Sequence, residues 1–224
     1  MAARGSSGAG TVRRRSTLSN EVAAHVRALV MAGALKPGEF VRMERIADEL
    51  EVSITPVREG LHTLSAEGFL TFEPRRGFMV APLSAADIRD LFWVQADIAG
   101  ELAARAAARA TSEDLVALRA LQRDLGTASQ EGRADDVVDL NWRIHRHVNL
   151  LAGSPKLAFL LSVAVRYVPL PFFATIPGWS DASVHDHEAV FRALEEHDAE
   201  AARVAMHDHI AHAGDLLAQH FDHD

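Results

Sequence analysis

Cysteine is absent from all 224 residues. Disulfides, thiolate nucleophiles and thiolate metal ligands are therefore excluded together. No apolar run approaches the roughly 18 residues that a membrane-spanning helix needs. The N-terminus lacks the hydrophobic core of a signal peptide, so a cytoplasmic location with no membrane partner is expected. No internal repeat stands out. What is present is a hydrophobic content of 48%, enough for the cores of two modest domains.

Charge divides the chain near Pro82. The first 82 residues carry a net charge of +2, whereas residues 83–224 carry −10 and 10 of the 12 histidines. An isoelectric point near 5.8 argues against a nonspecific nucleic-acid coat. It permits a small, mildly basic reading head on an acidic body.

The head centres on Val52 to Gly68, VSITPVREGLHTLSAEG. Ser53 or Thr55 is suited to cap a helix, and Pro56 falls in a first turn, where its missing N–H costs little. Val57, Leu61 and Leu64 recur at helical spacing and face a core; Arg58, His62 and Ser65 lie on other sides, and Gly68 ends the helix. Upstream, Leu18–Met31 and Met43–Leu50 read as helices. Downstream, Phe69–Phe72 and Phe78–Val80 read as strands around the basic turn Glu73–Gly77. Three helices and a two-stranded wing with arginines at its tip form a winged helix-turn-helix head over residues 17–82. Residues 1–16, rich in Gly, Ser and Arg, read as a disordered leader.

Beyond Pro82 the pattern is helical throughout, and the chain as a whole reads as mainly α. Ser84 and Asp87 form a capping box for a long alanine-rich helix to about Arg109. Helices follow from Thr111 or Ser112 to Glu131, Ala134 to Ala152, Lys156 to Tyr167, Ser183 to Glu196 and Ala199 to Phe221. A break is expected at Pro169-Leu170-Pro171. Short connections make residues 83–224 an antiparallel six-helix bundle.

The segment Val52-Ser53-Ile54-Thr55-Pro56-Val57-Arg58-Glu59-Gly60-Leu61, continued by Leu64, Glu67-Gly68 and Arg76-Gly77, resembles the head motif of GntR-family transcription regulators. The helical remainder resembles the FCD ligand-binding domain of the FadR subfamily. The resemblance implies a ligand-responsive regulator, a repressor by the commoner family behaviour, that binds double-stranded palindromic operator DNA as a homodimer. DNA contacts are then expected from Arg58, Ser53, Thr55, Arg45 and the wing pair Arg75 and Arg76. Two departures stand out. Ile54 replaces a usual DNA-contacting arginine and can neither neutralise a phosphate nor read guanine. Gly60 replaces a usual alanine, at a cost of about 1 kcal/mol in helix propensity.

In the bundle, Asn141 and His145 are four residues apart and share a helix face. His187 is in phase with Val190, Phe191 and Leu194, and His209 with Ala202, Ala205 and Leu216. All should point inward. One oxygen and three imidazoles suit a divalent ion, zinc first, with nickel, iron or manganese as other candidates. These positions coincide with the FCD metal ligands, where Asn141 stands in place of the usual Asp and removes one negative charge. The more positive site implied by the resemblance favours a small carboxylate effector, with Gln95, Arg166 and Tyr167 as candidate pocket residues. Gln95 stands where many relatives carry an arginine. Two alternatives stay open: a sensor for which the ion itself is the signal, and a histidine-ligated metalloenzyme with a vestigial head.

Overall fold

The computed structural model describes residues 7–168 and 173–221, with side chains from Thr17 to Gln219 within those ranges. The chain forms two compact units, Met1–Leu83 and Ser84–Asp224. Residues 1–6 of the expected leader and the expected break at Pro169–Pro171 lie outside the described residues.

In the first unit, α1 (Ser7–Met31), α2 (Met43–Glu49) and α3 (Ile54–Ala66) precede strands β1 (Leu70–Glu73) and β2 (Gly77–Val80). Helix α1 thus begins at Ser7, ahead of the expected start at Leu18. Once the turn around Leu18 is nucleated, each further residue toward the N-terminus adds a hydrogen bond at little cost. The strands pair antiparallel with Phe72 opposite Phe78 and Glu73 opposite Gly77. Val57, Leu61 and Leu64 are fully buried together with Val22 and Val26 of α1. Hydrophobic spacing alone accounts for this core.

Helix α3 ends in a Schellman motif. The Phe69 N–H donates to the Leu64 carbonyl at 2.9 Å and the Gly68 N–H to the Ser65 carbonyl at 3.2 Å. The motif requires Gly68 to take its left-handed φ of 84°. Buried Leu64 and Phe69 complete the apolar part of the stop. At the other end Ser53 is the N-cap residue, with an extended backbone, but its side chain makes no capping hydrogen bond.

The second unit holds six helices among the described residues: α4 (Ala85–Ala107), α5 (Ser112–Gln130), α6 (Ala134–Leu151), α7 (Pro155–Val165), α8 (Trp179–Glu195) and α9 (Ala199–Phe221). The capping box of α4 forms as expected, with the Asp87 N–H donating to Ser84 Oγ at 3.1 Å and the Ser84 N–H to Asp87 Oδ2 at 2.8 Å. Thr111 and Asp114 build the same device on α5. Helix α8 starts at Trp179, earlier than Ser183, because buried Trp179 anchors an additional turn behind Gly178.

Helix α4 is the spine of the bundle and lies antiparallel to α9. Its alanines Ala96, Ala99, Ala103, Ala106 and Ala107 are buried, and small side chains allow two helices to approach closely. The limit is reached at Gly100, where a Cβ would sit 2.8 Å from the Arg203 carbonyl oxygen. Helix α5 lies along α8, joined by Arg119, which bonds Glu195 at 2.7 Å and Glu188 at 2.6 Å.

The Gly60 departure acquires a reason here. A Cβ at Gly60 would lie 2.7 Å from the Ser19 carbonyl and 2.8 Å from Val22 Cγ1, so α1 crosses α3 against bare backbone. Gly60→Ala gains about 1 kcal/mol of helix propensity yet forces the helices apart, an overpacking cost of about 1–3 kcal/mol. A lowered thermal midpoint of the head is therefore expected by circular dichroism. A raised midpoint would mean that α1 yields freely.

Candidate nucleic-acid interface and metal centre

The N-terminal end of α3 presents Ser53, Thr55 and, one turn on, Arg58, all exposed. Unpaired N–H groups and the positive end of the helix dipole lie at the same place, which suits a phosphate or base edge. The Ser53 hydroxyl is not consumed in capping. Arg45 is exposed on α2 but bonds Glu49 Oε1 through Nε at 2.7 Å. Glu49 also meets His25 Nε2 at 3.1 Å, so local acid already offsets the Arg45 charge. Arg75 sits exposed at the wing turn with a left-handed φ of 68°. The guanidinium of neighbouring Arg76 lies 4.3 Å from the centre of the Phe40 ring.

Two features of the head were not legible from spacing. His62 packs against the wing, its ring edge-on to Phe78 at 4.8 Å and tilted to Phe72 at 5.5 Å. Arg27 is 7% exposed, pairs with Glu67 at the end of α3, and lies 5.2 Å from the centre of the Phe69 ring. Both hold the reading helix and wing in one arrangement. Their partners are distant in sequence, so no local pattern signals them.

In the bundle, His145 from α6, His187 from α8 and His209 from α9 converge, with one ring nitrogen of each within 4.8 Å of the others. His187 is fully buried and His209 is 4% exposed. His145 Nε2 lies 3.1 Å from His209 Nε2. Two nitrogens each about 2.1 Å from a common ion stand about 3.0 Å apart at a right angle and about 3.4 Å apart at a tetrahedral one. The observed spacing falls within that range.

Hydrogen bonds settle which nitrogen of His187 faces the cluster. The Val184 carbonyl only accepts, and Gln122 Nε2 donates to it at 2.8 Å. Gln122 Oε1 is thereby turned toward His187 Nδ1 at 3.0 Å, so His187 must donate from Nδ1. Its Nε2 is left with a bare lone pair, buried and without a protein partner. Gln122 was missed in the sequence reading. Its in-phase spacing with Leu118 and Leu125 was the available signal, since a glutamine on a buried helix face needs a partner.

Asp186 acts beside His209. Its Oδ2 lies 2.8 Å from His212 Nδ1 and 3.5 Å from His209 Nδ1. The second distance is electrostatic contact without good hydrogen-bond alignment, because His209 Nδ1 has no aligned partner. Burial raises the pKa of Asp186, but these two histidines outweigh it and hold the carboxyl below its ordinary value. Asn141, one turn before His145, has its Oδ1 buried without a partner.

Neutral donors, bare lone pairs and an orphaned carbonyl oxygen fit a divalent cation. A hydrogen bond between His145 and His209 alone would leave Asn141 Oδ1 and His187 Nε2 unsatisfied, at about 1–3 kcal/mol each. The expected effector residues have the following surroundings. Gln95 is buried, with Nε2 3.5 Å from the Ala164 carbonyl. Arg166 is exposed and donates from Nε to Ser162 O at 3.1 Å, closing its own helix end. Tyr167 is half-buried just beyond α7.

Burial and the neighbouring His209 lower the pKa of His145 to about 3, from an ordinary 6.5. Burial likewise holds His187 well below its ordinary value, with His209 and His145 adding to the effect. The folded state resists protonation, so its stability is fullest above the unfolded pKa near 6.5 and declines as pH falls toward the folded value. Metal-free protein should therefore melt at a lower temperature at about pH 5 than at about pH 7.5, and the His145→Gln, His187→Gln double variant should lose much of that dependence. An unchanged slope in the double variant would place the proton uptake elsewhere. His187→Ala should lower bound divalent metal measured by elemental analysis, and full occupancy would exclude His187 as a ligand.

No described helix is long and apolar enough to cross a membrane. Residues 90–212 match the FCD domain, and residues 18–80 match the family of bacterial regulatory proteins named gntR. An uncharacterized HTH-type transcriptional regulator of Mycobacterium tuberculosis is 30% identical over 186 residues, covering 83% of this chain and 75% of that protein. The HTH-type transcriptional repressor RspR of Escherichia coli is 24% identical over 190 residues, covering 83% and 82% respectively. The fold is similar to that of McbR/YncC of E. coli, with a TM-score of 0.69 and 22% identity over 91% of this chain and 98% of that one. These relatives are regulators, and the metalloenzyme alternative is set aside. The chain belongs to the GntR family of DNA-binding transcription regulators, with a winged helix-turn-helix head and an FCD domain.

Proposed function

We propose that this regulator binds a palindromic operator as a homodimer, represses transcription, and releases DNA when a small carboxylate reaches a divalent metal in the bundle. The observation that carries the effector half is the convergence of His145, His187 and His209, with Asn141 Oδ1 orphaned one turn away. Asn141, His145, His187 and His209 would hold the ion, zinc first. The bound metal would supply a Lewis-acidic position that accepts a carboxylate oxygen. The residues provide the rest. Gln122 orients His187, and the all-neutral donor set leaves the site attractive to an anion. Gln95 on α4 would line the pocket, and its buried amide would have to exchange its Ala164 partner to meet a ligand. Tyr167 and Arg166 are the weaker pocket assignments, because Arg166 already closes α7.

In the head, Arg58, Ser53 and Thr55 are assigned to the major groove and Arg75 to phosphate or minor groove. Arg45 and Arg76 are secondary contacts, since each has a partner within the protein. Double-stranded DNA in the cytoplasm is the macromolecular partner. The name of the relative RspR supports repression. Exposed Phe159, Leu160 and Val163 form an apolar stripe on α7, which supports association with a second copy. Effector binding would act through differential affinity for DNA-competent and incompetent arrangements.

A metal sensor is separated from this reading by titrating small carboxylic acids against operator binding at constant metal occupancy. Release by an acid supports the proposal, and release by metal alone supports the sensor. Arg58→Ala should weaken operator binding by about 1–3 kcal/mol at matched salt; undiminished binding removes it from the interface. Leu160→Glu should shift the sedimentation coefficient toward monomer and reduce operator affinity. A dimer that persists would place the interface elsewhere.

A further inference from the structure

We propose that Asp186 supplies, from outside the donor set, the negative charge needed by a divalent ion at the three histidines. This rests on the metal reading above and deepens it. The donor set is neutral: three imidazoles and the amide oxygen of Asn141. No carboxylate among the described residues joins the cluster within 4.8 Å. A double charge in a buried site with only neutral donors carries a large desolvation cost, which a nearby anion offsets.

Asp186 is placed to be that anion. It precedes His187 on α8, yet its carboxylate reaches α9, 3.5 Å from His209 Nδ1 and 2.8 Å from His212 Nδ1. Its side chain is 19% exposed, so water screens it only in part. Both ion pairs it makes among the described residues are with histidines, so no fixed arginine or lysine consumes its charge. Glu188, the next acid on the same helix, is engaged by Arg119 at 2.6 Å. The other acids in contact with an α9 histidine, Asp97 and Asp208, face His207 at 3.7 Å and 3.2 Å and not the cluster.

An acceptor carboxylate beside His209 Nδ1 favours the tautomer with its proton on Nδ1, leaving Nε2 to the ion. It also raises the donor strength of that imidazole, as carboxylate–histidine–metal triads do. The chain thus moves its acid from the inner ligand position, where Asn141 stands, to one residue farther out. The inner position gains no fixed anion, and an incoming carboxylate meets less repulsion there. Asp186 is a positioning residue in this scheme and not a ligand.

The test uses the full-length chain, Zn²⁺ competition against a chelating dye, and the visible absorption of the Co²⁺ form. Asp186→Asn should weaken Zn²⁺ binding by about 10–100-fold and alter the Co²⁺ bands. Adding Asn141→Asp on α6 should restore most of that affinity, because a charge returned to a different helix compensates electrostatically but cannot repair a local packing defect. Asp186→Glu, which keeps the charge, guards against a variant that fails to fold and should bind far closer to wild type. Unchanged affinity in Asp186→Asn, or no restoration by Asn141→Asp in a folded background, overturns the proposal while the metal reading stands. Wild-type protein that binds no divalent ion overturns the metal reading itself.

Discussion

Three imidazole nitrogens meeting in a buried space form the constraint on which the second unit depends. Lone pairs repel when gathered in a dry interior, and each unsatisfied polar atom there carries a desolvation cost. The bundle gathers them nonetheless. His145, His187 and His209 arrive from three helices, and Gln122 uses its full amide to turn His187 Nε2 toward the others. The protein's own hydrogen bonds leave His187 Nε2 and His209 Nδ1 without a partner, and the proposed cation would resolve that conflict.

Close helix packing makes that meeting geometrically stable. Alanines along α4 and bare backbone at Gly100 let α9 approach, which sets where His209 stands. Arg119 and Gln122 tie α5 to α8 and set where His187 stands. A ligand that shifts one donor by a fraction of an ångström must work against these contacts, because packed interiors deform by discrete rearrangement and not smoothly. That would be the physical basis for the proposed switch.

The head follows a parallel logic with different chemistry. Its reading helix is held by bare backbone at Gly60, by the Arg27–Glu67 pair and by His62 against the wing. The first turn is left polar and exposed. A rigid helix with an uncommitted N-terminal turn loses little freedom when it meets DNA, so more of the contact energy appears as binding.

Apolar spacing by itself determined the elements: Val57, Leu61 and Leu64 marked the buried face of α3, and Ser84 with Asp87 marked the start of α4. Helical phase also pointed the three histidines inward, because a period of 3.6 residues dictates direction without knowledge of neighbours. Only the tertiary structure decided what met them. The tautomer of His187 depends on Gln122, 65 positions away, and Asp186 reaches a histidine on another helix. Gly60 looked like a loss of helix propensity until the backbone of α1 was seen against it. Arg76 looked like an available cation until Phe40 was found beside it, whereas the Arg45–Glu49 pair, four residues apart on α2, follows from helical spacing. Periodicity is a local property of the chain, whereas the partner of a polar group is set by packing across distant segments, and that is where the two kinds of knowledge part.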